Sequence, residues 1–178
     1  EPGIYVTFEE DKHQIYEDMY RFGWDLYKLE EQGKFIFIRY TPEQVGKLLK
    51  TGGGVIRDLI DKIDAKRIVI DSISALTLLY PDELSRREAS LSLFRLLKKW
   101  TCTTLVVGQY EEIEGHHDST AVEFEVDGIV WLYNLKKGDI RIRAVEVFKM
   151  RGTKHAAKTF PLEITDNGIV IYPEQSVF

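Results

Sequence analysis

The sequence predicts an α/β fold: a mostly parallel central sheet flanked by helices, followed by an antiparallel carboxy-terminal extension of hairpins. Two observations carry this prediction. Between Ile4 and Gly108, short β-branched or aromatic runs alternate with segments of helical periodicity, the pattern of parallel strands joined by helices. After Gly128, strand-like runs are separated by short turns, which predicts hairpins. A chain of 178 residues has the size of one domain, so we expect residues 1–178 to form a single one.

Short apolar runs predict four parallel strands. They are IYVTF from Ile4, FIFIR from Phe35, RIVID from Arg67 and TTLVVG from Thr103. Apolar residues at helical spacing predict helices between them, ending near Phe22, Gln32, Ile63 and Trp100. The acids Glu9–Asp11 suit the first turn of the first helix. Ser85 is predicted to open the last helix through a capping box with Glu88.

The last third of the chain predicts two hairpins. The first joins residues 128–135 to residues 140–150, and the second joins 159–164 to 169–172. Side chains alternate along a strand, so one face of the second strand should carry every other residue. These are Arg141, Arg143, Val145, Val147, Lys149 and Arg151.

Composition and charge exclude several classes of protein. With 44% apolar and 30% charged residues, the chain is typical of a globular protein. Cys102 is the only cysteine, so no disulfide forms within the chain and we expect a cytoplasmic setting. No apolar run approaches the ~20 residues that a membrane-spanning helix needs. The net charge of −5 argues against a general nucleic-acid-binding protein.

The charges are distributed unevenly. Residues 110–127 contain seven acids and no Lys or Arg, whereas residues 136–158 contain eight bases against two acids. A basic segment on an acidic protein indicates an anionic ligand or an acidic neighbour. The alternative is two solvated faces of opposite charge.

Acids follow two of the predicted strands. Asp71 ends RIVID, the pattern of a Walker B motif, and could hold Mg²⁺ at the carboxyl edge of the sheet. The alternative is that Asp71 simply favours the turn that follows. Glu9 and Glu10 follow the first strand, where a carboxylate could orient or deprotonate a water that attacks a phosphate. Their alternative role is to face a helix dipole.

Two further segments carry candidate ligand-binding residues. Gln109 follows the fourth strand, where its amide could sense a terminal phosphate, although a solvated loop residue is the alternative. Lys149 and Arg151 end the long hairpin strand and could grip a phosphate, with Thr153 and His155 contacting a neighbouring sugar or base. An exposed basic strand end is the alternative.

In their order and spacing, YVTFEE, RIVIDS, VVGQ and VFKMRGTKH resemble the KaiC family of RecA-like ATPases. The resemblance covers nearly the whole chain and extends to the closing FPLEITDNGIVIYP. It implies ATP and Mg²⁺ as ligands, with Glu9 as the catalytic glutamate, Glu10 as its companion and Asp71 as the Walker B acid. It also implies a homo-oligomeric, usually hexameric, ring with nucleotide at each subunit boundary. In such a ring Lys149, Arg151, Thr153 and His155 would reach the nucleotide of the adjacent subunit, and Gln109 resembles the sensor glutamine.

The sequence departs from the family in one respect. No G-x-x-x-x-G-K-[ST] is present, and residues 52–54 are three glycines without a following Lys. We expect the natural protein to contain the family's strand, phosphate-binding loop and helix upstream of Ile4. Ser119–Thr120 invites comparison with the phosphorylation sites of the family's autokinases, but the spacing to the next strand favours the non-phosphorylated type.

The sequence therefore predicts an ATP-binding and ATP-hydrolysing domain of a ring-forming regulatory ATPase. One alternative is a RecA- or RadA-like DNA-recombination ATPase, against which the acidic charge counts. Another is a non-hydrolysing partner subunit that supplies Lys149 and Arg151 to a complete ATPase.

Overall fold

The computed structural model of the chain describes residues 1–75, 79–80, 82–109, 124–175 and 177. The chain divides into two compact units, Glu1–Phe124 and Glu125–Phe178. The first contains a four-stranded parallel sheet and the second a four-stranded antiparallel sheet, which confirms the predicted α/β architecture. Formation of a single domain by residues 1–178 stays a prediction. In the described parts of the chain, no helix is long and apolar enough to cross a membrane.

The sheet of the first unit places four strand ends along one edge. Its strands are β1 (Gly3–Thr7), β2 (Phe35–Arg39), β3 (Arg67–Asp71) and β4 (Thr103–Val107), in the order β2-β1-β3-β4. All neighbours are parallel and in continuous register, with Thr7 opposite Arg39 on one side and Asp71 on the other. All four carboxyl ends therefore lie at the same edge.

The described α-helices of the first unit are α1 (Lys12–Arg21), α2 (Leu26–Glu31), α3 (Pro42–Thr51), α4 (Gly54–Ile63) and α5 (Glu83–Lys98), and a short 3₁₀ helix spans Ile73–Ala75. Alternate residues of the two central strands are fully buried, namely Ile4, Val6, Ile68 and Ile70. The core also takes Ile56 and Ile60 from α4 and Leu93, Phe94 and Leu97 from α5. The glycine run predicted to precede a helix is the turn between α3 and α4, with Gly52 and Gly53 both at positive φ.

Two predicted helix starts are wrong. α5 begins at Glu83, because the Asp82 carboxylate accepts the Ser85 backbone N–H at 2.8 Å and caps the helix three residues before the predicted cap, Ser85. α1 begins at Lys12, with Asp11 as its cap through a 2.9 Å bond from the His13 N–H. Glu9 and Glu10 therefore precede the helix instead of occupying its first turn.

The second unit consists of β5 (Gly128–Lys137), β6 (Ile140–Met150), β7 (Phe160–Thr165) and β8 (Gly168–Ile171), in sequential antiparallel order. Both predicted hairpins are confirmed. The predicted single face of β6 is wrong at its end, because a bulge leaves Phe148 without a cross-strand partner. Val147 pairs with Val130 but Lys149 pairs with Ile129, so these two side chains point to opposite faces.

Candidate functional site

The carboxyl edge of the parallel sheet brings the acids of β1 and β3 together. Thr7 and Asp71 are register partners at the two strand ends. One residue further, the Phe8 backbone N–H donates to the Asp71 carbonyl at 3.1 Å and extends the pairing. Glu9 and Glu10 follow immediately and are exposed, whereas Asp71 is half-buried. The arrangement places three carboxylate side chains within a few residues of the junction between two central strands.

Thr7 holds the segment that carries Glu9 and Glu10. Its side chain is fully buried, and its hydroxyl accepts the backbone N–H of Glu9 at 3.3 Å and of Glu10 at 3.1 Å. These two bonds turn the chain sharply at the end of β1 before α1 begins. The position of both acids therefore depends on a side chain anchored in the core.

Tyr5 contacts the Asp71 side chain directly. Its hydroxyl donates a hydrogen bond to Asp71 Oδ2. Its ring stacks on Phe37, with centroids 5.7 Å apart and planes 10° from parallel. Burial raises the pKa of the Tyr5 hydroxyl, and the hydrogen bond and charge of Asp71 and then the charge of Glu10 raise it further. Tyr5 is therefore a protonated donor at physiological pH.

Gln109 lies past the end of β4 and is exposed. Its backbone N–H donates to Ser74 Oγ at 3.1 Å, which connects the segment after β4 to the segment after β3. A Cβ on Gly108 would come within 3.1 Å of Ile73 Cγ2, so the close approach of these two segments favours glycine there. Residues 110–123, which include most of the acidic segment and Ser119–Thr120, lie outside the described residues.

The donors at this edge fit Mg²⁺ bound together with a phosphate. Mg²⁺ is usually held by one or two carboxylates plus substrate phosphates and water rather than by a protein cage. Asp71 supplies a carboxylate, and Glu9 and Glu10 supply further negative charge nearby. The described residues contain no cluster of three His, Cys, Asp or Glu side chains that could hold a metal by themselves.

The candidate cations lie at the end of the β5–β6 hairpin, in the second unit. The Arg151 backbone N–H donates to the Asp127 carbonyl at 2.7 Å, and the Arg151 guanidinium lies 3.4 Å from Asp127 Oδ1. Lys149 is half-buried and pairs with Ile129. This register continues the ladder past the bulge, so Lys149 and Arg151 share a face, as predicted for this pair. On the same face, Phe148 packs edge-on against Trp131, with centroids 6.1 Å apart.

Thr153 and His155 follow in the segment after β6, and both are exposed. Gly152 has a φ of +66°, a backbone turn that glycine adopts without strain. The Thr153 backbone N–H then donates to the Met150 carbonyl at 3.4 Å. His155 Nδ1 lies 3.3 Å from the Ala156 carbonyl. The turn presents polar side chains directly after the two cations.

Within each unit, the structure groups the residues that the sequence singled out. Glu9, Glu10, Asp71 and Gln109 belong to strand ends of the first unit, and Lys149, Arg151, Thr153 and His155 belong to one strand end and turn of the second. Sequence reasoning missed Tyr5, Thr7 and Asp127. Thr7 is the register partner of Asp71, and Tyr5 lies two residues before it on the same face of β1. Both could have been identified from the sequence only if the register between β1 and β3 had been known.

Comparisons with known proteins agree with one another. A family model described as the KaiC ATPase matches residues 1–176. A UPF0273 protein of Pyrococcus furiosus is 36% identical over 98% of this chain and 75% of its own length. The circadian clock oscillator protein KaiC of Synechococcus elongatus is 34% identical over 97% of this chain and 35% of its own length. The crystal structure of a KaiC-like protein from Pyrococcus horikoshii is 34% identical, with a TM-score of 0.82, over 97% of this chain and 76% of that one.

Proposed function

Since the chain belongs to the KaiC family of ATPases, we propose that it binds ATP with Mg²⁺ and hydrolyses the ATP. We propose further that it works as a subunit of a homo-oligomeric, cytoplasmic ring with a regulatory role. The proposal rests on the junction of β1 and β3. Thr7 at the end of β1 is the register partner of Asp71, and its hydroxyl holds the segment that carries Glu9 and Glu10. Ligands of open α/β sheets bind at this edge.

Each acid at this edge of the sheet has a separate role. Asp71 is the residue that would hold Mg²⁺, and the metal supplies positive charge that offsets the charge developing on the transferred phosphoryl group. Glu9 orients the attacking water and accepts its proton. Glu10 adds negative potential beside it, consistent with its effect on the pKa of Tyr5. The Gln109 amide senses the terminal phosphate from the end of β4.

The cations act on the nucleotide of an adjacent subunit. Lys149 and Arg151 share a face at the end of β6, and their charges offset the negative charge of the transition state. Thr153 and His155, in the turn that follows, contact the same nucleotide.

Nucleotide binding is the first test. Calorimetric titration of ATP with Mg²⁺ is carried out on this chain and on a form extended upstream to include the family's phosphate-binding loop. We expect the extended form to bind, because backbone amides of that loop supply most of the phosphate affinity. Failure of both forms to bind would contradict the proposal and favour a partner subunit that only contributes cations.

Turnover tests the role of Glu9. In the form that binds ATP, Glu9→Gln should lower kcat at least about 100-fold while ATP affinity stays within about threefold, because the amide cannot accept a proton. Glu31→Gln is the matched control, since Glu31 is exposed at the end of α2 and should leave kcat unchanged. Equal activity of wild type and Glu9→Gln would remove Glu9 from the site.

A mixing experiment tests the contribution in trans. Arg151→Ala and Glu9→Gln should each be inactive alone. Mixed subunits should recover part of the activity, because some interfaces then combine an intact Glu9 with an intact Arg151. No recovery in mixtures shown by mass spectrometry to contain both variants would place the two residues in the same subunit's site.

A DNA-binding test separates this proposal from a recombination ATPase. With a net charge of −5, the chain should show no salt-dependent binding to single-stranded DNA. Affinity for a fluorescent oligonucleotide that falls steeply with added salt would instead favour the recombination alternative.

A further inference from the structure

One hydrogen bond at the junction of β1 and β3 is not explained by packing. The Tyr5 ring lies next to Phe37 of β2 and pairs in register with Phe37 and Val69. A phenylalanine would fill this position equally well. The hydroxyl is nevertheless present, and it donates to Oδ2 of Asp71, two residues beyond its register partner Val69 on β3.

The surroundings of Tyr5 restrict its hydroxyl to this partner. Stacking on Phe37 fixes the plane of the ring, and β1 is a central strand whose neighbouring residues Ile4 and Val6 are almost completely buried. A rigid phenol is a good orienting group because it has few rotatable bonds to immobilise. Asp71, by contrast, lies at a strand end and is half-buried, so its carboxylate has room to rotate.

We propose that Tyr5 is a positioning residue for Asp71: it holds Oδ2 and thereby directs Oδ1 to the Mg²⁺ that accompanies the nucleotide. This inference rests on the proposed function and adds a residue to it. Groups that hydrogen-bond to metal ligands fix the orientation of the ligand, and their loss typically weakens metal binding 10–100-fold. The Tyr5 hydroxyl donates to Asp71, so the proposed role is exerted through that carboxylate.

Metal affinity is the decisive measurement. Mn²⁺ serves as the probe, and its binding to the ADP complex of the ATP-binding form is measured by electron paramagnetic resonance. Tyr5→Phe should weaken Mn²⁺ binding about tenfold. Tyr133→Phe is the matched control, because the Tyr133 hydroxyl also donates to a carboxylate, Glu146, at 2.9 Å, but in the second unit. This control should bind Mn²⁺ as the wild type does.

The kinetic signature separates positioning from general damage. For Tyr5→Phe, the Mg²⁺ concentration at half-maximal ATPase rate should rise about tenfold, with kcat at saturating Mg²⁺ within about twofold of wild type. A lower kcat at every Mg²⁺ concentration, together with a lower melting temperature, would assign Tyr5 a purely structural role.

Two outcomes overturn the proposal in different ways. If wild type and Tyr5→Phe bind Mn²⁺ equally, or the variant binds more tightly because the phenol competes with the metal, the role of Tyr5 is wrong and the proposed function stands. If the wild-type ADP complex binds no Mn²⁺, the proposed metal role of Asp71 fails and the role of Tyr5 fails with it.

Discussion

The two compact units differ in how they hold their candidate functional residues. Among the described residues, seventeen buried apolar residues lie in the parallel unit and three in the antiparallel unit. The acids of the first unit lie at the ends of strands whose alternate residues are fully buried. The cations of the second follow a hairpin with exposed apolar side chains, among them Val130 and Leu132. The acids are therefore supported by a buried core, whereas the cations are supported by a ladder of backbone hydrogen bonds.

This difference has a chemical meaning. A carboxylate that positions a metal or a water loses activity when it is displaced by about 1 Å, so it benefits from a rigid support. A cation that reaches another subunit must adapt to that subunit's position, and a long side chain on an exposed strand end can do so.

The largest effect is expected in the core of the parallel unit. Ile68 of β3 is fully buried, so Ile68→Ala should lower the free energy of unfolding by about 3–4 kcal/mol. Leu132→Ala on β5, where the side chain is 71% exposed, should change it by less than about 0.5 kcal/mol. Chemical denaturation measures both. Similar losses for the two variants would mean that β5 is as well packed as β3.

A glycine turn provides the next test. A Cβ on Gly53 would lie 2.7 Å from Trp100 Cζ2, and the residue has a φ of +71°. Gly53→Ala should therefore cost about 2–3 kcal/mol of unfolding free energy. Gly46→Ala, in the interior of α3 with no atom within 4 Å of the new Cβ, should instead stabilise by up to about 1 kcal/mol. Thermal unfolding of both variants measures the contrast.

The hydrogen bonds that hold the Glu9–Glu10 segment can be removed without mutating either acid. Thr7→Val deletes the acceptor for the Glu9 and Glu10 backbone N–H groups and should cost about 1 kcal/mol of stability. ATPase activity of the ATP-binding form should fall more than this stability loss explains, because both acids shift. Thr7→Ser retains the hydroxyl and should keep near-wild-type activity, whereas an inactive Thr7→Ser would show that the hydroxyl alone does not position the two acids.

The smallest effect on stability is expected at the cations. Asp127 and Arg151 form an exposed ion pair, so Asp127→Asn should change the unfolding free energy by less than about 0.5 kcal/mol. The backbone bond from Arg151 to residue 127 is independent of this side chain and should persist. Denaturation at two salt concentrations checks this result. A loss above 1 kcal/mol would show that the second unit depends on this pair.

The sequence was sufficient for elements whose signal is local. The FIFIR and RIVID runs match β2 and β3 residue for residue, because a short buried strand is marked by its own apolar composition. Helix α3 was missed although its signals are local. Thr41 and Gln44 form a capping box with Pro42 at the start, and Val45, Leu48 and Leu49 have helical spacing.

Features that depend on pairing between distant segments could not be predicted. The bond between Tyr5 and Asp71 joins residues 66 positions apart and depends on the β1–β3 register. The bulge at Phe148 likewise depends on how β6 aligns with β5, and period-two counting along β6 alone placed Lys149 on the wrong face. Local patterns located the candidate residues, whereas their mutual orientation required the register.

The bulge at Phe148 also divides β6 into two parts whose side chains are constrained differently. Before it, each change of side chain on β6 must suit the face that β5 and β7 set. After the bulge, the alternation of side chains continues with the opposite phase. Inserting or deleting one residue there would therefore move the side chains of residues 149–151 to the other face and leave the rest of the ladder unchanged. In related chains, a single-codon insertion or deletion can therefore change the contacts of residues 149–151 without changing the pairing of the rest of the sheet.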